Sequence, residues 1–165
     1  EECNYALKLI NEKYGNKFSS LCEIDLNIIE SLKNDMDVKI YNRASFVINE
    51  NLRTHDAAIK LNEFKLMEIG NLMYQSHAGL KDLYEVSCNE LDYLVDLTKA
   101  HDQIIGSRMM GGGFGGCTIN LIHKRFIDEF IEEASKSYFE KFSINLTPIE
   151  INICDGVKIK NLQTD

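Results

Sequence analysis

Proline is nearly missing from this sequence: of its 165 residues only Pro148 carries the ring, and tryptophan is absent altogether. Upstream of position 148, therefore, no ring-locked residue interrupts a helix. Long apolar runs are also missing. No stretch approaches the roughly 20 residues a bilayer-spanning helix requires, so no membrane partner is expected. Positive charge is scarce, with 18 Lys and Arg against 26 Asp and Glu and a net charge of −8. Such a surface lacks the basic excess that neutralises nucleic-acid phosphates or anionic headgroups, and no nucleic-acid partner is expected. The five cysteines, Cys3, Cys22, Cys88, Cys117 and Cys154, form no CxxC pair and are odd in number. They read as reduced, mostly buried thiols of a cytoplasmic protein, not as disulfides or zinc ligands. The opening Glu1-Glu2-Cys3-Asn4 has neither an initiator Met nor a basic-then-apolar signal pattern, so the chain is expected to begin inside a longer one.

What is present is an ordinary globular balance, 44% apolar and 27% charged. Residues 1–165 are expected to form one domain, with no repeat or linker to divide them. The first hundred residues read as helices. Ala6, Leu7 and Ile10 make a short apolar face, and Ile40, Ala44, Val47, Ile48 and Leu52 a longer one at i, i+3, i+4 spacing. Leu61, Phe64, Ile69, Leu72 and Met73 continue the pattern. Tyr14-Gly15-Asn16-Lys17 has turn chemistry, and Asp25 stands where it would cap a helix through Leu26, Ile29 and Leu32. Ser87-Cys88-Asn89-Glu90 reads as a capping box opening a helix with Leu91, Leu94, Val95 and Thr98. After His101 the period changes. Ile104–Met110 and Cys117–Ile122 read as two strands of a hairpin, Phe126, Phe130, Ile131, Ala134 and Tyr138 as a helical stripe, and Ile149, Ile151 and Ile153 as a half-buried strand. The expected class is α+β, with helices packed on a small, mainly antiparallel sheet. Three strands are few, so a fourth is expected from a segment otherwise read as helix or loop.

Between the hairpin strands lie Gly111, Gly112, Gly113, Phe114, Gly115 and Gly116, half of the ten glycines in six positions. Each glycine costs up to about 1 kcal/mol of backbone entropy relative to alanine, so their concentration needs a reason. Two nucleotide motifs fail. The spacing Gly111-x-Gly113-x-x-Gly116 satisfies GxGxxG, but a dinucleotide fingerprint opens a helix and Cys117-Thr118-Ile119-Asn120-Leu121 reads as a strand. A Walker A loop needs Lys then Ser or Thr after its last glycine, and neither follows. On the residues alone, a tight hairpin with close packing and a nest of amides facing an anion both stand.

The run GSRMMGGGFGGC at 106–117 resembles the third motif of galactokinases, sugar kinases of the GHMP superfamily. So do Ser76-His77-Ala78-Gly79-Leu80, the LYEVSCNELD segment at 83–92, Leu21-Cys22-Glu23-Ile24 and the opening Glu-Glu-Cys, so the likeness covers nearly the whole chain. Met110 departs from the family's usual Thr or Ser and removes a hydroxyl beside the loop, and Asn89 departs from its usual Pro. The resemblance implies a ferredoxin-like GHMP kinase C-terminal domain. It implies transfer of the γ-phosphoryl group of ATP to the C1 hydroxyl of galactose with Mg2+, in a cleft shared with an N-terminal lobe. The sugar signature, phosphate loop and catalytic groups of that lobe have no counterpart in this sequence, so no catalytic residue and no metal ligand is named. By the resemblance, Gly111, Gly112, Gly113, Phe114, Gly115 and Gly116 belong to the nucleotide site. Arg108 reads as ion-paired or solvated ahead of facing a phosphate, His77 as a packing or capping residue ahead of orienting the loop, and His55, His101 and His123 as surface or turn residues. A non-catalytic ATP and galactose sensor, and a GHMP kinase for another small substrate, share the motif; LYEVSCNELD favours galactose.

Overall fold

The computed structural model describes residues 1–151. Helix α1 spans Glu2–Tyr14, α2 Leu26–Ser31, α3 Val38–Asn62, α4 Leu66–Asp82 and α5 Asn89–Thr98; strands β1 (Ile104–Met110) and β2 (Cys117–Ile122) and helix α6 (Ile127–Phe142) follow. Helix α3, the longest, is capped by Asp37, whose carboxylate accepts the N–H of Lys39 at 2.9 Å and of Ile40 at 3.4 Å. That side chain satisfies donors with no partner inside the helix. None of the described helices is long and apolar enough to cross a membrane.

The apolar stripes are buried in two places. Ala6, Ile10, Ile29, Leu32, Tyr41, Ala44 and Ile48 pack α1, α2 and α3 together. Burying a side chain the size of Ile10 or Ile29 contributes about 1.5–3 kcal/mol, so this cluster holds the first three helices. Ile104, Phe126, Phe130 and Ala134 form a second core between the start of β1 and α6. Helix α4 joins the two halves. A Cβ on its Gly70 would lie 1.8 Å from the Ile105 carbonyl oxygen, and one on Gly106 would lie 2.4 Å from the Gly70 Cα. At such distances α4 can lie against β1 only while both positions lack a side chain. Farther along, a Cβ on Gly79 would meet the Phe46 ring of α3 at 2.7 Å.

β1 and β2 pair antiparallel, from Gly106 opposite Leu121 to Met110 opposite Cys117, with a register shift beside Ile105. The α+β class stands, and among the described residues the sheet has these two strands.

Five local expectations do not hold. Ser87 does not open a capping box: α5 begins one residue later with Cys88 as N-cap, because the Ser87 hydroxyl donates to Asp92 Oδ1 at 2.5 Å. Asp25 occupies its N-cap position but makes no capping hydrogen bond. Phe64 is not core; α3 ends before it, and it turns the chain at φ 56 with 87% of its surface exposed. Cys3 and Cys88 are half-buried and Cys22 and Cys117 exposed, all four as free thiols, so the burial expected of them is absent. Ile149 and Ile151 are exposed and lie in no strand. Ile153 and Cys154 fall outside the described residues.

Gly70→Ala tests the α4–β1 contact. Better helix propensity returns about 1 kcal/mol, against about 3 kcal/mol for a methyl forced onto backbone. The expected net loss of about 2 kcal/mol lowers Tm by about 4–8 °C in a calorimetric scan. An unchanged Tm would mean that helix and strand do not approach this closely.

Candidate functional site

The loop between β1 and β2 follows from its glycines. Gly111, Gly113, Gly115 and Gly116 adopt φ of 94, 89, 133 and 106, and Phe114 adopts 59. For Phe114 that is a left-handed conformation, worth roughly 1–2 kcal/mol of strain. A hydrogen bond holds it there: the Phe114 N–H donates to the Val86 carbonyl at 2.7 Å. At Gly113 a Cβ would stand 2.2 Å from the same Val86 oxygen, so only glycine fits. The middle of the loop is thus seated on one carbonyl of the segment between α4 and α5. Beside Gly111, Gly112 and Gly115, by contrast, nothing lies within 4 Å of where a Cβ would be. That open side has the room a phosphate or a second backbone needs. The Phe114 ring is 78% exposed, and Met110 at the root of the loop is half exposed.

Three polar clusters surround this seat. In the first, Arg43 of α3 is buried, with its side chain 8% exposed. Its Nε donates to Glu2 Oε2 at 3.0 Å, Nη2 to Glu85 Oε2 at 2.5 Å, and Nη1 to the Leu83 carbonyl. In the second, Asp92 of α5 accepts from Ser87 and pairs with Lys81 Nζ at 3.1 Å. His77 of α4 places Nε2 at 3.3 Å from the same carboxylate, while its Nδ1 accepts the Met109 N–H at 3.3 Å. Met109 is two positions before the loop. Because an N–H points at Nδ1, the ring proton belongs on Nε2 and His77 is neutral. Burial holds the imidazole below its usual 6.5, against the opposing pull of Asp92. The third cluster centres on Glu50, which accepts from Ser76 and Arg53 and pairs with Arg108 Nη1 at 3.3 Å.

The structure therefore brings Gly111, Gly112, Gly113, Phe114, Gly115 and Gly116 into one loop, with Arg108 on the strand that leads to it and His77 hydrogen-bonded to that strand at Met109. Arg108 is ion-paired. His77 packs, and through Met109 it also orients the strand. His55 and His123 are exposed. His101 is not a plain surface residue: its ring lies 5.2 Å from Phe126 and 5.7 Å from Phe130, with Nε2 3.2 Å from Glu133. Arg43 and Glu50 went unmarked in the sequence, and Val86 and Asp92 stood out only as members of the 83–92 segment, because most of their partners lie on other elements. A surface cavity of 610 Å3 lined by Gln103, His123, Lys124, Arg125 and Phe126 lies at the other end of the hairpin and does not adjoin the loop. Among the described residues no three of His, Cys, Asp or Glu group as a metal site.

A depressed histidine makes stability depend on pH with a definite sign. Between 6.5 and the lower folded value of His77 the unfolded chain binds the extra proton, so stability is lost as pH falls through that window. The slope from one such group approaches about 1.4 kcal/mol per pH unit. In His77→Gln, urea unfolding between pH 7 and 5 is expected to lose this component; an unaltered slope would assign it to other groups.

The model for GHMP kinases C terminal matches residues 57–141. The galactokinase of Clostridium acetobutylicum is 40% identical over 158 residues, 95% of this chain and 40% of that protein. That of Clostridium tetani is 44% identical over 138 residues, 83% of this chain and 35% of that protein. The crystal structure of Lactococcus lactis galactokinase complexed with galactose superposes with a TM-score of 0.80 at 31% identity, over 87% of this chain and 37% of that one. The chain spans about two fifths of the length of the curated relatives it matches. With a family match running from α3 into α6 over more than half of its residues, and a fold shared with a solved relative, the chain belongs to the GHMP kinase C-terminal family.

Proposed function

We propose that this chain is the C-terminal part of a galactokinase, joined in the working protein to an N-terminal lobe that carries the catalytic groups. The reaction is transfer of the γ-phosphoryl group of ATP to the C1 hydroxyl of galactose. The O1–P bond forms as the bond from Pγ to the β,γ-bridging oxygen breaks, and the hydroxyl proton leaves to a base supplied by the other lobe. The observation that carries this reading is the glycine loop, seated on Val86 and open beside Gly111, Gly112 and Gly115, in a chain 40% identical to a galactokinase along 95% of its length.

Phosphoryl transfer is mainly a matter of positioning and of stabilising charge. The residues here fit the positioning part. ATP supplies the phosphoryl group, and this chain's loop closes one wall of the site where the phosphates lie, bracing the phosphate loop of the other lobe. Five of the six loop positions carry no side chain, so the shape of that wall is set mostly by backbone. Mg2+ would be held mainly by groups of the N-terminal lobe, supplying charge stabilisation at the phosphates. The four free thiols suit a reducing cytoplasm, which is the compartment proposed.

Two measurements test the reading. The protein comprising this chain and its N-terminal lobe is expected to phosphorylate galactose in a coupled ADP assay, whereas the pure 165-residue chain is expected to show no turnover. Failure of the first or success of the second overturns the division of labour. Gly112→Ala in the longer protein places a methyl on the open side of the loop; stability should stay within about 0.5 kcal/mol while kcat falls by about tenfold, or 1.4 kcal/mol of barrier. Undiminished kcat would remove the loop from the site.

A further inference from the structure

We propose that Arg43 is a positioning residue for the glycine loop, acting across the fold through the segment that follows α4. The inference deepens the kinase reading and depends on it only where turnover is concerned.

Arg43 holds the segment at two points, on the Leu83 carbonyl and on the Glu85 carboxylate at 2.5 Å. Tyr84 between them lies with its ring 5.7 Å from the guanidinium and 5.0 Å from the Phe46 ring. Glu85 itself adopts φ 54, which a residue with a side chain seldom takes without support. The next residue, Val86, donates to the Leu80 carbonyl at 3.0 Å, and its own carbonyl accepts the Phe114 N–H at 2.7 Å. Gly113 is pressed against that same oxygen. Each link is short and directional, so the place of Phe114 is inherited from the grip on Glu85. A buried charge with three partners in one plane requires the guanidinium fork, which lysine cannot reproduce. Glu2, the third partner, is also shared with Lys39 Nζ at 2.7 Å, and its ion pairs go to Arg43 and Lys39.

Amide hydrogen exchange reads the link without substrate. Arg43→Lys and Arg43→Gln are both expected to raise exchange at the Phe114 amide by about tenfold or more, leaving the Met109 amide, held by His77, at its original rate. In the protein with both lobes the same variants should lower kcat by about tenfold with the galactose KM unchanged, since misplacement of a positioning element is felt in the chemical step. Lys39→Gln, which loosens only Glu2, should resemble the wild type in both measurements. Unchanged exchange at Phe114, or a rise spread evenly over all amides, overturns the proposal. Should the Arg43 variants not fold, Glu85→Gln cuts one arm alone and must give a smaller rise at the same amide; no rise there overturns it equally. Raised Phe114 exchange in a protein whose wild type does not phosphorylate galactose would discard the galactokinase reading and leave the role of Arg43 standing.

Discussion

Backbone meets backbone where α4 crosses β1, and the arrangement of the site depends on that contact. With no side chain on Gly70 or Gly106 the helix lies flush on the strand, the Gly70 Cβ direction ending 1.8 Å from a carbonyl oxygen. Were the helix displaced by the width of a methyl group, His77 would no longer meet the Met109 N–H at 3.3 Å. The segment leaving the C-terminus of α4 would likewise arrive short of Phe114. A close approach made early in one helix thus sets the reach of everything emitted from its end.

Energy and geometry are divided between different residues. The apolar clusters around Ile10 and Ile29, and around Phe126 and Phe130, remove most of the surface that drives folding. The buried ions contribute less to net stability, because desolvation offsets much of their attraction. What they contribute is direction. Glu50 gathers Ser76, Arg53 and Arg108 onto one carboxylate, and Asp92 gathers Ser87 and Lys81 beside His77, so that three helices, a strand and a connection have one mutual orientation.

Much of this was legible in the sequence because it is local. The switch from a period of 3.6 to short apolar runs marked both strands at their observed ends, and the α6 stripe buried Phe130, Ala134 and Tyr138 as its spacing implied. Where local grammar failed, a distant partner had prevailed. Ser87 looked like a cap because Glu90 follows at the right interval, but the carboxylate of Asp92, fixed by Lys81 of α4, took its hydroxyl. Arg43 gave no signal because its partners stand 40 to 42 residues away in the chain. Phe64 looked like core by spacing alone, yet it falls in the turn that lets α4 fold back along α3. The glycine loop could be found, but not its seat on Val86.

That seat has a mechanical consequence. A run of glycines whose ends are tied by the Met110–Cys117 pair and whose middle is fastened to one carbonyl is held at three points, with open space beside Gly111, Gly112 and Gly115. Any rearrangement that admits or releases a bound group is then confined to the two short spans between those points, Gly111–Gly113 on one side of Phe114 and Gly115–Gly116 on the other.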